Sequence, residues 1–277
     1  MFFVSLQTDL LKMSEKRPLI LITNDDSCAA KGLKKLVSLM RMLGDVVVIT
    51  TEQVMSSKSH SATLQSPLYV RLAEESDGFK EYHCNGTPVD CVKLGYQRVL
   101  ERWPDLVVSG INHGSNAGST VVYSATVGAV IEACMDGMPA IGFSLDCFDA
   151  DADFDHLDEA ILSITRKVLA EGLPKAVCLN VNFPKRCDEP LKGIKICRQA
   201  TGKWVEPFEA HHDENGNIYY DLKGEFVSDD IKPDTDLYAI AHNYVSVVPT
   251  QYDWTAKSAL DSLRNYESML LENGNQG

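Results

Sequence analysis

Along this chain, short solid apolar runs alternate with helical stripes. "LILIT" (19–23) is β-branched and apolar, as suits a strand buried on both faces. "AKGLKKLVSLMRML" (30–43) carries apolar residues at 33, 36, 37, 40 and 43, one face of a helix, and Gly44 stands where a C-cap glycine belongs. "DVVVIT" (45–50) is a second buried strand, which makes a β-α-β unit of the kind that crosses over right-handed in a parallel sheet. The pattern repeats. "TPVDCVKLGYQRVL" (87–100) predicts a helix with Thr87 as its cap and Pro88 in its first turn, and "PDLVVSG" (104–110) a strand. "SATVGAVIEACMDG" (124–137) and "FDHLDEAILSITRKVLAEGL" (154–173) predict helices, with strands at "PAIGFSL" (139–145) and "AVCLNVNFP" (176–184). The alternation predicts an open α/β fold with a doubly wound, mostly parallel, Rossmann-like sheet, and a site at the carboxyl ends of its strands.

After Pro184 the texture changes. Residues 193–250 read as short strands between turns, including an Asn-Gly hairpin signal in "ENGN" (214–217), and a terminal helix is predicted over about 255–271. The expected organisation is an amino-terminal extension (1–17), an α/β catalytic core (18–190), and a β-rich arm with a carboxyl-terminal helix (191–277). Such an arm, without an obvious core of its own, is of the kind that packs on or exchanges with a neighbouring subunit.

Composition narrows the class. The 277 residues are 44% hydrophobic and 23% charged, ordinary for a globular chain with a real core. A net charge of -13 argues against binding a nucleic-acid polymer, which calls for a Lys/Arg surface. It leaves room for a small phosphorylated substrate whose charge a metal offsets. No apolar run approaches the length of a membrane span, so no membrane partner is expected. The opening "MFFVSLQTDLLK" lacks a basic start and is interrupted by Gln7 and Asp9, which makes a poor leader, and Met13 is the expected start. Eight cysteines without a C-x-x-C pair read as scattered reduced thiols, and the expected location is cytoplasmic.

The candidate chemistry begins where the first strand ends. Asp25 and Asp26 are adjacent, and two ionised acids crowded together need something positive between them. Neighbours on a strand point to opposite faces, so both can serve one ion only if the chain turns there, which Asn24 and Ser27 permit. The hydroxyl-rich loop "TEQVMSSKSHSAT" (51–63) and the loop "GINHGSNAGSTVVYSAT" (110–126) converge on the same edge, so the acids can share a pocket with Ser56 and Asn112. Carboxylate, hydroxyl and amide oxygens form a hard donor set suited to one divalent ion, Mg²⁺ or Mn²⁺. The helix at 124–137 offers its amino end to a phosphate.

In order and spacing, "ILITNDDS", "GTPVDCVKLG", "PDLVVSGINHGSNAGSTVVYSATVGA" and "PAIGFSL" resemble the survival protein SurE family of metal-dependent 5'/3'-nucleotidases. The likeness returns weakly in "TDLYAIAHNYVSVVPTQYDWT" (235–255). The resemblance implies Asp25, Asp26, Ser56 and Asn112 as metal ligands, Asp25 and Asp26 as catalytic groups, and Asn116, Ser124 and Thr126 on the phosphate side. It also implies nucleoside monophosphates as substrates, and a homodimer or homotetramer with an exchanged arm. Ser27, Ser57 and Ala125 stand where the family usually has glycine, the residue most tolerant of positive φ or close phosphate approach.

Other readings are weaker. An aspartyl-nucleophile phosphatase wants Asp-x-Asp after its first strand, and here the acids are adjacent. A non-catalytic nucleotide-binding or regulatory module on the same fold would want G-x-G-x-x-G there, which "TNDDSCAAKG" lacks. Ser57 rivals Ser56, and Lys58, His60 and His113 are ordinary loop residues unless placed against substrate. Asp90 and Cys91 read as helix start and core, His211 and His212 as binding nothing, and "SDDIKPDTD" (228–236) as a solvated loop.

Overall fold

The computed structural model describes residues 17–149, 151–205 and 207–269. All but the last residue of the expected extension over 1–17, and the end of the expected terminal helix, lie outside the described residues. The strand alternation decides the layering. In β1 (Leu19–Thr23), Ile20 and Ile22 face one side and Leu21 the other. On the first side they pack with Leu33, Leu36 and Met40 of α1 (Lys31–Met40). Leu21 instead joins a second cluster with Cys91 and Val92 of α2 (Pro88–Leu94) and Val127 and Val130 of α3 (Ala125–Met135). The helix α4 (Asp158–Glu171) adds Ile161 and Ile164 beside α1. Helices thus cover both faces, which is why the strands read as continuous apolar runs.

The sheet has nine strands. With β2 (Asp45–Thr51), β3 (Val70–Ser76), β4 (Phe79–Cys84), β5 (Leu106–His113), β6 (Ala140–Leu145), β7 (Cys178–Phe183), β8 (Ile194–Ile196) and β13 (Val245–Thr250), the order is β3-β4-β2-β1-β5-β6-β7-β13-β8. The run from β4 to β7 is parallel throughout, and β13 is antiparallel to β7. The chain leaves β1 for β2 on one side and returns through β5 on the other. The crevice outside the carboxyl ends of β1 and β5 is therefore the topological switch point, where open α/β sheets bind ligands.

The doubly wound, mostly parallel fold expected from the sequence is borne out, with local differences. The β3–β4 hairpin was not foreseen, although its turn, Asp77-Gly78 with Gly78 at φ +65, is a recognisable signal. Gly44 has no positive φ and α1 is capped by Arg41. A Cβ at Gly44 would lie 2.2 Å from the Pro18 carbonyl oxygen, so this glycine permits a close chain crossing instead. The segment after residue 190 does two things. β8 and β13 complete the sheet, while β9 (Lys203–Val205) with β12 (Glu225–Val227), and β10 (Phe208–His212) with β11 (Ile218–Leu222), form two small ribbons. The expected Asn-Gly turn joins β10 to β11, with Gly216 at φ +80. The short helix α5 (Asp236–Ala241) was not foreseen. In place of a continuous terminal helix stands α6 (Leu260–Leu263), flanked by 3-10 turns, with no residue of it buried to anchor a longer one. No described helix is long and apolar enough to cross a membrane.

Asp90 acts as the structural acid expected. Thr87 caps α2 by accepting from the Asp90 N–H at 3.2 Å, while Asp90 accepts from the Thr87 N–H at 2.9 Å. The same carboxylate takes the Thr63 hydroxyl at 2.6 Å and the Thr63 N–H at 3.0 Å, which moors the end of the loop carrying Ser56. Asp90→Ala leaves these partly buried donors without their acceptor and is expected to cost about 3 kcal/mol in urea unfolding, with Asp90→Asn costing less. A loss within ~0.5 kcal/mol of zero would contradict this account.

Candidate active site

The turn after β1 is built by Asn24. Its Oδ1 accepts the Thr50 hydroxyl at 2.5 Å, and its Nδ2 donates to the Ser27 carbonyl at 2.9 Å, closing the chain over Asp25 and Asp26. Ser27 sits at φ 77, so the departure from glycine noted in the sequence falls at a left-handed position. Ser57, at φ 60, repeats this. Ala125 does not, since it is the buried first residue of α3. Asn24 and the flanking loops hold the two serines in a conformation that ordinarily costs about 1 kcal/mol or more.

The acids face opposite anchors. Asp25 is only 4% exposed, and its Oδ1 accepts the Thr126 hydroxyl at 2.5 Å. Burial, and then the charge of Asp26, push Asp25 up to about 6, against the smaller opposing effect of the Thr126 hydroxyl. Asp26 accepts the His113 N–H at 3.1 Å, which ties the end of β1 to the end of β5. Burial raises it as well, opposed by that hydrogen bond.

The loop bearing Ser56 is pinned on both sides of that residue. The Met55 N–H donates to the Asp25 carbonyl at 2.7 Å, and the Ser59 N–H to the Tyr123 carbonyl at 3.0 Å. Gly128 lets the loop lie directly on α3, since a Cβ there would meet the Ser59 carbonyl oxygen at 2.7 Å. His60 pairs with buried Glu132 at 2.7 Å, and Lys93 binds the same carboxylate, so His60 serves the scaffold. Lys58 is exposed.

The third loop supplies the rest. Asn112 donates Nδ2 to the Gly114 carbonyl at 2.8 Å, leaving Oδ1 as the amide atom available to a cation. Ser124 caps α3, accepting from the Val127 N–H at 3.0 Å, and its own hydroxyl proton stays available. Asn116 is buried, with Nδ2 on Ser144 Oγ at 2.8 Å and its N–H on Asn182 Oδ1 at 2.8 Å. Asn180 donates to the Asn116 carbonyl at 2.9 Å and accepts from Asn182 at 3.0 Å. This amide ladder was missed from sequence, though two same-face asparagines in the apolar run "CLNVNF" are its signal. Asp236 was missed too, inside the stretch expected to be a solvated loop. It is fully buried, accepting from the Gly118 N–H at 2.7 Å and the Ala200 N–H at 2.9 Å, so it ties the arm to the site loop.

These parts enclose a cavity of about 560 Å³ lined by Asp25, Ser56, Ser57, Asn112, His113, Asn116 and Ser124, among others, and reached by Trp204 and Leu222 from the arm. Of the expected site residues, Asp26 and Thr126 are not in its wall. Asp26 is half-buried beside it, held by the His113 N–H, and Thr126 is fully buried against Asp25. No Lys or Arg lines the cavity, and neither acid has an ion pair among the described residues. No group of three or more His, Cys, Asp or Glu that could by themselves hold a metal ion occurs among the described residues. Two carboxylates with neutral hydroxyl and amide oxygens, and no positive side chain, are a donor set that fits one hard divalent cation. His211 lies away from it, stacked on Tyr219 at 5.3 Å.

Fold and cavity together define a doubly wound α/β protein with an acidic, oxygen-lined crevice at its switch point. The chain belongs to the survival protein SurE family, whose model matches residues 20–206. The "5'-nucleotidase SurE" of Flavobacterium psychrophilum is 48% identical over 252 residues, covering 91% of this chain and 98% of that protein. The protein of the same name from Christiangramia forsetii is 46% identical, covering 92% and 98%. The crystal structure of the SurE protein from Aquifex aeolicus matches with a TM-score of 0.77 at 35% identity, covering 90% of this chain and all of that one. The resemblance read from the sequence is thus borne out.

Because Asp25 titrates higher in the folded chain than in the unfolded one, the metal-free fold loses stability as pH rises from the ordinary carboxylate range near 4 through about 6. Asp25→Asn removes that charge. In EDTA it is expected to raise Tm by several degrees at about pH 8, with the gain shrinking towards zero as pH falls to about 4. A pH-independent difference, or a loss at about pH 8, would contradict the charge crowding.

Proposed function

We propose that this chain is a phosphomonoesterase that removes phosphate from nucleoside 5'-monophosphates, and from 3'-monophosphates, with one Mg²⁺ or Mn²⁺ held by Asp25, Asp26, Asn112 Oδ1 and Ser56. The observation that carries the reading is a crevice walled by the buried carboxylate of Asp25, with that of Asp26 adjacent in the chain and no cationic side chain in the lining. A phosphate dianion entering it would meet only negative charge. Family membership and the names of the relatives support the same substrate class.

When bound, the ion supplies charge neutralisation on the phosphoryl oxygens and an acidified water. Ser124, with its oxygen occupied by the Val127 N–H, is left to donate its proton to a phosphoryl oxygen. Asn116 has a second Nδ2 hydrogen beyond the one given to Ser144, and the amino end of α3 adds favourable dipole charge. Thr126 acts through Asp25, fixing which carboxylate oxygen faces the cavity. Asp25, the acid in the wall, is placed to take the proton of the attacking water at its other oxygen.

We also infer a cytoplasmic homodimer or homotetramer. All eight cysteines are free thiols, which suits a reducing compartment. The β10–β11 ribbon pairs only with itself among the described residues and exposes Phe208, Tyr220 and Leu222. An isolated two-stranded hairpin is marginal in water, which favours its exchange onto a neighbouring subunit.

The test is phosphate release from a panel of 5'- and 3'-nucleoside monophosphates with Mn²⁺, Mg²⁺ or EDTA. Metal-dependent turnover is expected, with Asp25→Asn and Asp26→Asn each lowering kcat by about a hundredfold or more. Turnover undiminished by EDTA, or either variant retaining more than about a tenth of kcat at saturating metal, would sink the reading.

A further inference from the structure

The cavity changes character from its deep end to its rim. Asp25 is nearly inaccessible, whereas Tyr123 and Phe148, which line the same cavity, are 52% and 76% exposed. A third aromatic side chain, Trp204, reaches the cavity from β9. The three come from separate elements. Tyr123 ends the 3-10 turn before α3, Phe148 follows β6, and Trp204 belongs to the base of the arm.

Two of the rings lie against neighbouring groups, and the third is fixed at its backbone. The Phe148 ring lies against Gly114 of the Asn112 loop, where a Cβ would come within 2.2 Å of its Cε1 atom. Trp204 packs edge-on against Phe226 with ring centroids 6.0 Å apart, and Gly202, just before β9, donates its N–H to Ser119 Oγ of the site loop at 3.1 Å. The Tyr123 carbonyl is fixed by the Ser59 N–H. Exposed aromatics scattered singly are ordinary on protein surfaces. Three rings lining one cavity, above a charged deep end, form a stacking platform for a flat π-system carried by a charged group.

We propose that Tyr123, Phe148 and Trp204 form the nucleobase end of the site, with the base stacked on these rings while its phosphate lies at Asp25 and Ser124. The assignment rests on the proposed function for the phosphate end and adds the part of the site that recognises the rest of the substrate. Stacking of this kind tolerates purines and pyrimidines alike, because every base presents a π-face. It discriminates instead against phosphomonoesters that lack a base.

The experiment uses the full chain with Mn²⁺. Phe148→Ala is expected to raise KM for a nucleoside monophosphate about tenfold, on the scale of base–aromatic stacking, while the Ki of inorganic phosphate moves less than about twofold. Phe148→Tyr restores KM. Independently of turnover, a nucleoside monophosphate quenches the intrinsic tryptophan fluorescence, and Trp204→Phe removes most of that quench. Equal shifts in KM and phosphate Ki would overturn the proposal. So would a quench retained in Trp204→Phe, or a change in oligomeric mass in Phe148→Ala without the KM effect. A wild-type chain that shows the quench but no turnover would refute the phosphatase reading and leave the base site standing.

Discussion

The structure turns on the repulsion between two adjacent carboxylates at the end of a buried strand. Asp25 is buried, Asp26 partly so, and no lysine or arginine lines the crevice that Asp25 faces. Left alone, that arrangement costs folding free energy, which is why Asp25 is pushed well above the ordinary carboxylate range. The surrounding chain preserves the crowding. Asn24 closes the turn, Thr126 fixes Asp25, His113 fixes Asp26, and Ser27 accepts a left-handed backbone. The proposed cation is what would relieve this conflict at the switch point, since a turn or helix cap would need only one acid exposed to solvent.

The topology makes this economical. Because β2 and β5 leave β1 on opposite sides, the loops after β1, β2 and β5 meet in one crevice, and each contributes a different donor type. Behind them, Asn180, Asn182 and Ser144 lock Asn116 from the neighbouring strands. Asp236 joins the Gly118 turn to the arm, so the loop that lines the crevice and the segment leading to Trp204 are one hydrogen-bonded body. The arm's ribbon is therefore coupled to the site even though it contributes little to the core.

The doubly wound, mostly parallel sheet and the acids at the end of its first strand were legible in the sequence because they rest on local periodicity and on which loops follow which strands. Ser56 and Asn112 were placed by the same topology and singled out by the family's motifs. What escaped depends on contacts between distant segments. Asp236 sits in a stretch so acidic that it reads as solvated, yet it is buried by accepting two backbone N–H groups from elsewhere in the chain. Gly44 looks like a helix cap because the cap and the close crossing call for the same residue, and only the Pro18 carbonyl beside it distinguishes them. Thr126 was expected beside the phosphate and lies instead beneath Asp25, a difference of one residue along α3 from Ala125, and two from the cavity-lining Ser124. The aromatic rim was invisible, since its three rings come from separate segments, and only Tyr123 lies in a stretch the motifs cover.

The central claim is that Asp25 and Asp26 exist to hold one divalent cation. A crystal grown with Mn²⁺ and measured at its absorption edge tests this most directly. A single anomalous peak per chain is expected, within coordination distance of both carboxylates and of Asn112, and absent from Asp25→Asn crystals. A peak elsewhere in the chain, or none beside the two acids under saturating Mn²⁺, would contradict the account.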